Sequence, residues 1–181
     1  MTGRIEKLQQ EFDVDVRWTA FPLHPETPEA GRTLEDLFAG RPIDIPAMLA
    51  HLRKTAKQLG LPFGDRRMTF NSRRAQELGK WAESAGRGWE FHQAVFRAYF
   101  ADGRNIARIA VLTEIAEAIG LVGEKAREIL SAGDFKAAVD RDWQRSRTKG
   151  ITAVPSFDLN GRHLVGAQPY AVLAEMVQNN L

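Results

Sequence analysis

Residues 150–157 are Gly150-Ile151-Thr152-Ala153-Val154-Pro155-Ser156-Phe157, and they mark the point where the periodicity of the chain changes. Before Gly150, apolar residues recur at the spacing of a helix. After this stretch, two short apolar runs flank Asn160-Gly161, a dipeptide that strongly indicates a two-residue hairpin turn because both residues tolerate positive φ. The sequence therefore predicts a helix that ends at Gly150, a loop that contains Val154-Pro155, and then a β-hairpin.

A strand is also predicted near the start of the chain. Polar and apolar residues alternate over residues 13–20, so one face of this strand would carry Val14, Val16, Trp18 and Ala20. An amphipathic helix over residues 3–12 precedes the strand, and the prolines of residues 22–28 end it because proline lacks a backbone N–H. Since neither a lone strand nor a hairpin is stable alone, both are expected to pair in one sheet.

The pattern of residues 33–149 predicts helices separated by capping residues and gives no indication of a strand. Asp44, followed by Pro46, is predicted to begin one helix, and Asn71 is predicted to cap the next. The sequence therefore indicates an α/β fold in two parts. Residues 1–32 and 150–181 form a small discontinuous α/β domain, and residues 33–149 form an all-helical insertion that covers it.

The composition is that of an ordinary globular protein, since 44% of the 181 residues are hydrophobic and 27% are charged. Lys and Arg number 25 against 23 Asp and Glu, and this net charge of +2 gives no reason to expect a nucleic-acid or membrane partner. The pairs Arg66-Arg67 and Arg73-Arg74 are predicted to lie on solvated helix faces. No membrane-length apolar run or signal-peptide pattern is present, so the protein is predicted to be cytoplasmic.

The sequence contains no cysteine, which excludes disulfides, thiolate metal sites and a thiol nucleophile from these 181 residues. The four histidines fall in different elements without the spacing of a metal site, and no glycine loop for phosphates or dinucleotides occurs. No metal, cofactor or catalytic residue is therefore predicted. His24 is a binding candidate because it lies in the proline-rich loop that leaves the predicted strand.

Val154-Pro155 is the most informative dipeptide, and the residues alone leave two interpretations open. The proline could occupy the first position of an edge strand, where its missing N–H costs nothing. Alternatively, the peptide bond is cis and presents the backbone of Val154 to a bound chain. Val154 and Pro155 are therefore substrate-binding candidates beside His24.

Four stretches of the chain together resemble one known family, over essentially all of its length. They are Arg4-Ile5-Glu6; Val16-Arg17-Trp18-Thr19-Ala20-Phe21-Pro22-Leu23-His24-Pro25; Phe96-Arg97-Ala98-Tyr99-Phe100 with Asp102-Gly103; and residues 150–157. The last stretch is the most specific, because it resembles the cis-proline loop of the DsbA family. The link Ala167-Gln168-Pro169 is also similar, and the chain as a whole resembles the cytoplasmic, FrnE-like branch of that family.

The resemblance implies a thioredoxin-like fold with a large helical insertion and the activity of a thiol-disulfide oxidoreductase or disulfide isomerase. It implies as partner a protein disulfide or a small-thiol disulfide such as that of glutathione. Family members carry a first strand and a Cys-x-x-Cys motif at the start of the first helix, where the helix dipole lowers the pKa of the attacking thiol. Both features are missing from this sequence, which leaves open whether the chain is an enzyme.

The missing strand has a structural consequence. In the family's fold it lies between the second strand and the hairpin, so its absence would leave unpaired backbone on both sides. We therefore interpret Met1 as an internal methionine of a longer reading frame or the start of a shortened form. If the short form is real, we expect it to form a homodimer, exchange a segment or rearrange its sheet.

Two other functions remain open. One is a glutathione-linked isomerase similar to the 2-hydroxychromene-2-carboxylate isomerases, which share the fold and use a serine in place of the first cysteine. The other is a non-catalytic binding module that keeps only the groove beside Val154-Pro155. The segment that precedes Met1 would separate the two enzymes, and binding without turnover would identify the module.

Overall fold

The computed structural model describes residues 2–180, and for Thr2 only the backbone. Its helices are α1 (Thr2–Glu11), α2 (Leu34–Leu37), α3 (Ile45–Gln58), α4 (Arg73–Ser84), α5 (Gly88–Phe100), α6 (Ile109–Ala118), α7 (Gly123–Ala132), α8 (Lys136–Thr148) and α9 (Tyr170–Gln178). Its strands are β1 (Arg32–Thr33), β2 (Met68–Thr69), β3 (Ser156–Leu159) and β4 (Arg162–Val165). Among these described helices, none has the length and apolar character needed to span a membrane.

The described residues group into two compact units. The first combines the residues up to Leu23 with those from Asp140 onward, and the second is His24–Val139. Helix α8 begins in the second unit and ends in the first. The domain boundaries predicted at 32/33 and 149/150 stay a proposal.

The β-hairpin of the first unit forms as predicted. Strands β3 and β4 are antiparallel, with Ser156 opposite Val165 and Leu159 opposite Arg162, so the loop between them is Asn160-Gly161. Both loop residues have positive φ, 50° and 83°. That conformation matches the right-handed twist of the strands and explains why an Asn-Gly pair specifies this turn.

The strand predicted over residues 13–20 does not form in the described structure, and this is a correction. Exposure alternates along the segment as the sequence predicts, with Val14, Val16, Trp18 and Ala20 on the less exposed side. However, no described strand pairs with it, and the hairpin is a separate two-stranded sheet. Alternation indicates which side chains are covered, whereas a strand also needs a hydrogen-bonded neighbouring strand at about 5 Å, and no described strand pairs with this segment.

A buried carboxylate holds the end of this extended segment instead. The backbone N–H of Ala20 donates to Oδ2 of Asp142 on α8 at 3.0 Å. Asp142 is 3% exposed, and Arg17 places a guanidinium nitrogen 3.8 Å from its other oxygen. A side-chain acceptor thus takes the place that a neighbouring strand would have in a sheet.

The insertion is not entirely helical, which corrects a second expectation. Strands β1 and β2 pair antiparallel over two residues each, with Arg32 opposite Thr69 and Thr33 opposite Met68. Such short strands carry no detectable alternation, so only the fold reveals them. The side chain of Thr33 then accepts from the N–H of Asp36 at 3.0 Å and caps α2.

The helix starts predicted from capping residues are present in the second unit. Oδ1 of Asp44 accepts from the N–H of Ala47 at 2.9 Å and caps α3, with Pro46 in the first turn. The N-cap of α4 is Ser72, one residue after the predicted Asn71, and the Ser72 side chain makes no capping hydrogen bond. Oδ1 of Asn71 instead accepts from the N–H of Arg73, the first residue of α4, at 2.8 Å. Local side-chain acceptors therefore decide where these helices begin.

The core of each unit lies between amphipathic helices. In the first unit, α1 packs on α9 through Ile5, Leu8, Leu173 and Val177. In the second unit, α4 to α7 enclose a larger cluster in which Leu78, Phe91 and Leu112 are almost completely buried. Helix α3 contributes only Ala56 to the buried residues.

We expect truncation of a core leucine to destabilise the protein far more than truncation of a leucine on α3. Leu78→Ala leaves a cavity in the α4–α7 core and should lower the free energy of unfolding by about 2–5 kcal/mol. Leu52→Ala, which removes the same atoms from a half-exposed position on α3, should change it by less than about 1 kcal/mol. Urea unfolding followed by circular dichroism measures both. Equal losses for the two variants would contradict this description of the core.

Candidate functional site

The candidate site begins where α8 ends. The N–H of Gly150 donates to the carbonyl of Arg147 at 3.0 Å, and the N–H of Ile151 donates to the carbonyl of Ser146 at 2.9 Å. These two bonds form a Schellman motif, in which Gly150 adopts the left-handed conformation at φ 65°. The motif satisfies the last carbonyls of α8 and turns the chain sharply into residues 151–155.

The loop after Gly150 is tied to the hairpin by two hydrogen bonds. The hydroxyl of Ser156 donates to the carbonyl of Ala153 at 2.6 Å, and the N–H of Gly166 donates to the carbonyl of Pro155 at 2.8 Å. The second bond extends the pairing of β3 and β4 by one step beyond the strand ends. The Val154–Pro155 peptide bond is cis.

Val154 presents both its side chain and its backbone to solvent. The side chain is 45% exposed, and no other described residue hydrogen-bonds to its N–H or its carbonyl. A residue with a free donor and a free acceptor can pair with an extended chain in the manner of a strand edge. The structure therefore makes the backbone of Val154 available for such pairing.

Val165 is a residue of this site that sequence analysis missed. It lies opposite Ser156 at the open end of the hairpin, next to Gly166, which bonds to Pro155. Its side chain is 55% exposed, so Val154 and Val165 both offer apolar surface at the same end of the hairpin. The hairpin register was the signal that could have identified it, because register places Val165 beside the loop.

His24 lies at the start of the second unit, whereas Val154 and Pro155 belong to the first. Its carbonyl accepts from the N–H of Thr27 at 3.2 Å, and its Nδ1 lies 3.8 Å from a carboxylate oxygen of Glu26. These contacts give His24 a local role in a turn. Its participation in the same site as Val154 and Pro155 stays a prediction.

The end of the hairpin leads into a link that α1 holds in place. A guanidinium nitrogen of Arg4 donates to the carbonyl of Gln168 at 2.6 Å. At the start of α9, the hydroxyl of Tyr170 hydrogen-bonds to the carboxylate of Glu11, and the ammonium of Lys7 lies 4.4 Å from the centre of the Tyr170 ring. These contacts position the segment that follows the candidate site.

The Tyr170–Glu11 hydrogen bond shifts the pKa of both partners. It raises the pKa of Tyr170 to about 12, because the nearby carboxylate accepts the phenol proton and opposes formation of a second negative charge. The same bond, and then the charge of Lys7, lower the pKa of the Glu11 carboxyl.

The sequence predicted a solvated helix face for the paired arginines of α4, but both are only partly exposed and each is paired with a carboxylate. Nε of Arg73 donates to the buried carboxylate of Glu77 at 2.6 Å, and Arg74 donates to Glu29 at 2.7 Å. Both line a pocket of about 420 Å³ in the second unit. Because these cations are already matched by carboxylates, the pocket does not indicate an anion site.

The described residues contain no cluster of His, Asp and Glu that could hold a metal ion. They also contain no thiol, since the sequence lacks cysteine. The loop at Val154–Pro155 offers a free backbone donor and acceptor beside the apolar surface of two valines. No side chain in the loop is a nucleophile for disulfide exchange.

Comparison with known proteins agrees with this arrangement. Residues 1–178 match the family described as DSBA-like thioredoxin domain. The protein YwbO of Bacillus subtilis, named as uncharacterized, is 27% identical over 163 residues, which are 86% of this chain and 76% of YwbO. The crystal structure of a probable DsbA oxidoreductase from Streptomyces coelicolor is similar with a TM-score of 0.89 and 26% identity, over 98% of this chain and 81% of that one.

Two more distant structures share the fold. A 2-hydroxychromene-2-carboxylate isomerase matches with a TM-score of 0.70 and 18% identity, over 98% of this chain and 85% of its own. The cytosolic disulfide reductase DsbM from Pseudomonas aeruginosa, solved with GSH, matches with a TM-score of 0.64 and 21% identity, over 98% and 91%. The fold is thus the α/β thioredoxin-like fold with a helical insertion that the sequence predicts.

We expect the titration of Tyr170 to depend on Glu11. In the intact protein, the absorbance of Tyr170 at 295 nm should rise only near pH 12, and in Glu11→Gln its midpoint should fall toward 10, the ordinary value. The step in absorbance that is lost in Tyr170→Phe is the titration of Tyr170. Because the bond raises the pKa of Tyr170 and lowers the pKa of Glu11, its contribution to stability is present while Glu11 is ionised and Tyr170 is protonated. It is lost as the pH rises from 10 toward 12, and also as the pH falls through the lowered pKa of Glu11. A titration unchanged by Glu11→Gln would contradict the contact.

Proposed function

The chain belongs to the DsbA-like thioredoxin domain family, and we propose that its 181 residues form the substrate-binding part of a thiol-disulfide oxidoreductase or isomerase. The observation that carries the proposal is the loop at Val154–Pro155. It holds a free backbone donor and acceptor beside two exposed valines, Val154 and Val165. An extended peptide segment next to a disulfide would pair with this backbone and place apolar side chains on the valines.

The redox step itself needs thiols from outside these residues. In disulfide exchange, a thiolate attacks one sulfur of the substrate disulfide, the other sulfur leaves as a thiolate, and a second thiol then resolves the mixed disulfide. The sequence supplies neither thiol. We therefore propose that the 181 residues bind a disulfide substrate without exchanging it, and that a longer form with a Cys-x-x-Cys motif would perform the reaction.

The proposed substrates are protein disulfides and glutathione disulfide. DsbM, whose fold is similar, is named as a cytosolic disulfide reductase and was solved with GSH, which supports glutathione as a probe. We also propose that the protein belongs to the cytoplasmic, FrnE-like branch of the family. In the same proposal, His24 takes part in substrate binding and the protein forms a homodimer.

A glutathione-linked isomerase is the second candidate. The fold similarity to a 2-hydroxychromene-2-carboxylate isomerase supports it at the level of the fold. Such an enzyme would bind reduced glutathione as a cofactor-like partner and would have no use for a disulfide-bonded peptide. A binding module without turnover would bind the peptide but gain no activity from added thiols. The ligand preference of the loop therefore separates these functions.

Val154→Asp should weaken binding of a disulfide-bonded peptide at least 10-fold, because a carboxylate replaces apolar surface beside the free backbone groups. Binding is measured by titration of the isotope-labelled protein, with the amide signal of Val154 as reporter in the unchanged chain. Val122→Asp is the matched control, since Val122 is exposed, lies in the second unit, and undergoes the same chemical change. It should bind the peptide like the unchanged protein.

Three outcomes of this titration have distinct meanings. A shift of the Val154 amide with peptide and glutathione disulfide supports the oxidoreductase proposal. A shift with reduced glutathione only favours the isomerase. An absence of any shift at Val154, with the protein folded, overturns the assignment of this loop as the binding site.

A further inference from the structure

The pocket of about 420 Å³ in the second unit has the size of a small-molecule site, since such sites have volumes of about 300–1,000 Å³. Its walls come from the start of α4, the start of α6, the end of α7 and the start of α8, with Glu29 from the segment before β1. All of its lining residues fall within His24–Val139, the second compact unit. The pocket is therefore separate from the Val154–Pro155 loop of the first unit.

Two arginines of α4 hold the walls of the pocket together. Arg73 donates from Nη2 to the carbonyl of Lys136 at 2.9 Å and so links α4 to the start of α8. Arg74 donates from Nη1 to the carbonyl of Ala107 at 2.9 Å and so links α4 to the segment before α6. The shape of the pocket is thus fixed by contacts within the protein.

Glu77 supplies a buried carboxylate with unused acceptor capacity. The residue is 3% exposed, and its Oε1 accepts from Nε of Arg73 at 2.6 Å. No described residue hydrogen-bonds to its Oε2, and this atom is not sealed from solvent. Because a carboxylate accepts up to about four hydrogen bonds, Glu77 can bind a donor inside the pocket that it lines.

Lys136 supplies the opposite charge to the same pocket. Its ammonium lies beside Gly133, where an added Cβ would come within 2.8 Å of Nζ, and no described residue pairs with this ammonium. One guanidinium group, that of Arg73, bonds to both the carboxylate of Glu77 and the carbonyl of Lys136. A free carboxylate oxygen and a free ammonium therefore belong to residues on either side of one side chain.

The charges of the lining favour one class of ligand. Among the described residues of the lining, three side chains are cationic and two are anionic, a balance of +1. A purely cationic ligand would meet this excess positive charge, and a polyanion would compete with the carboxylates that already pair with Arg73 and Arg74. A monoanion would leave the buried acceptor of Glu77 without a donor.

A small zwitterion satisfies both free groups, because its ammonium can face Glu77 while its carboxylate faces Lys136. The pocket also has an apolar part, which consists of Ala107, Ile109 and Leu130. An apolar side chain on the zwitterion would be covered there.

We propose that this pocket binds a free α-amino acid with an apolar side chain. Its ammonium would donate to Oε2 of Glu77, and its carboxylate would accept from Nζ of Lys136 and from the hydroxyl of Ser131. Ser131 lines the pocket from the end of α7, and its hydroxyl has no described partner. The proposal does not depend on the function proposed for the Val154–Pro155 loop.

The test is an NMR titration of the isotope-labelled full chain with L-leucine and with two molecules that each lack one of its charges. The amide signals of Leu130, Ser131 and Lys136 should shift and saturate with leucine, while the amide signal of Val154 should not move. 3-Methylbutylamine is leucine without the carboxylate, and 4-methylpentanoate is leucine without the ammonium. Each should bind about 10-fold more weakly than leucine, because each loses hydrogen bonds between charged groups.

Two pairs of variants at exposed positions locate the ligand. Lys136→Met should weaken leucine binding about 5-fold or more, while Lys57→Met, the same change on α3, should alter it less than about 2-fold. Ser131→Leu should weaken binding by at least about 10-fold, because the larger side chain occupies the space of the ligand. Ala132→Leu, at the next residue of α7 and outside the lining, should bind leucine like the unchanged protein. Circular dichroism verifies the fold of each variant.

The role of Glu77 is tested from the side of the ligand. Substitution of Glu77 would leave the guanidinium of Arg73 without its carboxylate, and a loss of folding would then hide the effect on binding. The 4-methylpentanoate titration avoids this problem, because it removes the group that Glu77 binds and leaves the protein unchanged.

Four results would overturn the proposal. Equal binding of leucine and 4-methylpentanoate would show that Glu77 does not bind the ammonium, and equal binding of 3-methylbutylamine would show that Lys136 does not bind the carboxylate. Leucine binding that persists in Ser131→Leu would place the ligand outside the pocket. An absence of saturable shifts around the pocket, with the protein folded, would show that the pocket does not bind an amino acid.

Discussion

Gly150 adopts a left-handed backbone at φ 65°, and the candidate site depends on this conformation. It allows two hydrogen bonds that close the end of α8 and direct the chain into the loop at Val154–Pro155. A residue with a Cβ adopts this conformation only with strain, since the Cβ approaches the backbone. Hydrogen bonds from Ser156 and Gly166 then fix the loop to the hairpin, so that the backbone of Val154 stays free.

The first unit also shows how backbone groups find partners when a strand is not present. The segment over residues 13–20 keeps the alternating exposure of a strand, yet its described neighbours offer no ladder. The buried carboxylate of Asp142 accepts from Ala20 in place of a neighbouring chain. Among the described residues the hairpin forms a sheet of two strands only, so its outer edges keep backbone groups that a further strand could pair.

The two units offer surfaces of different chemistry. The loop of the first unit exposes a backbone donor and acceptor beside two valines, an arrangement suited to an extended chain. Helix α3 of the second unit instead exposes leucines, since only Ala56 among its residues is buried. The α4–α7 core is closed, and the buried carboxylate of Glu77 is paired with the partly exposed Arg73.

The sequence by itself determined the features that depend on neighbouring residues. Local φ preferences and side-chain acceptors specify the turn at Asn160-Gly161, the end of α8 at Gly150 and the start of α3 at Asp44. The Val154–Pro155 loop was located because it lies between Gly150 and that turn. Tertiary structure alone decided that residues 13–20 form no strand, that β1 pairs with β2, that Arg74 pairs with Glu29, and that Val165 lies beside the loop. Each of these requires a partner distant in sequence or a register between strands. Periodicity specifies which face of an element is apolar, but the surrounding fold decides what covers that face.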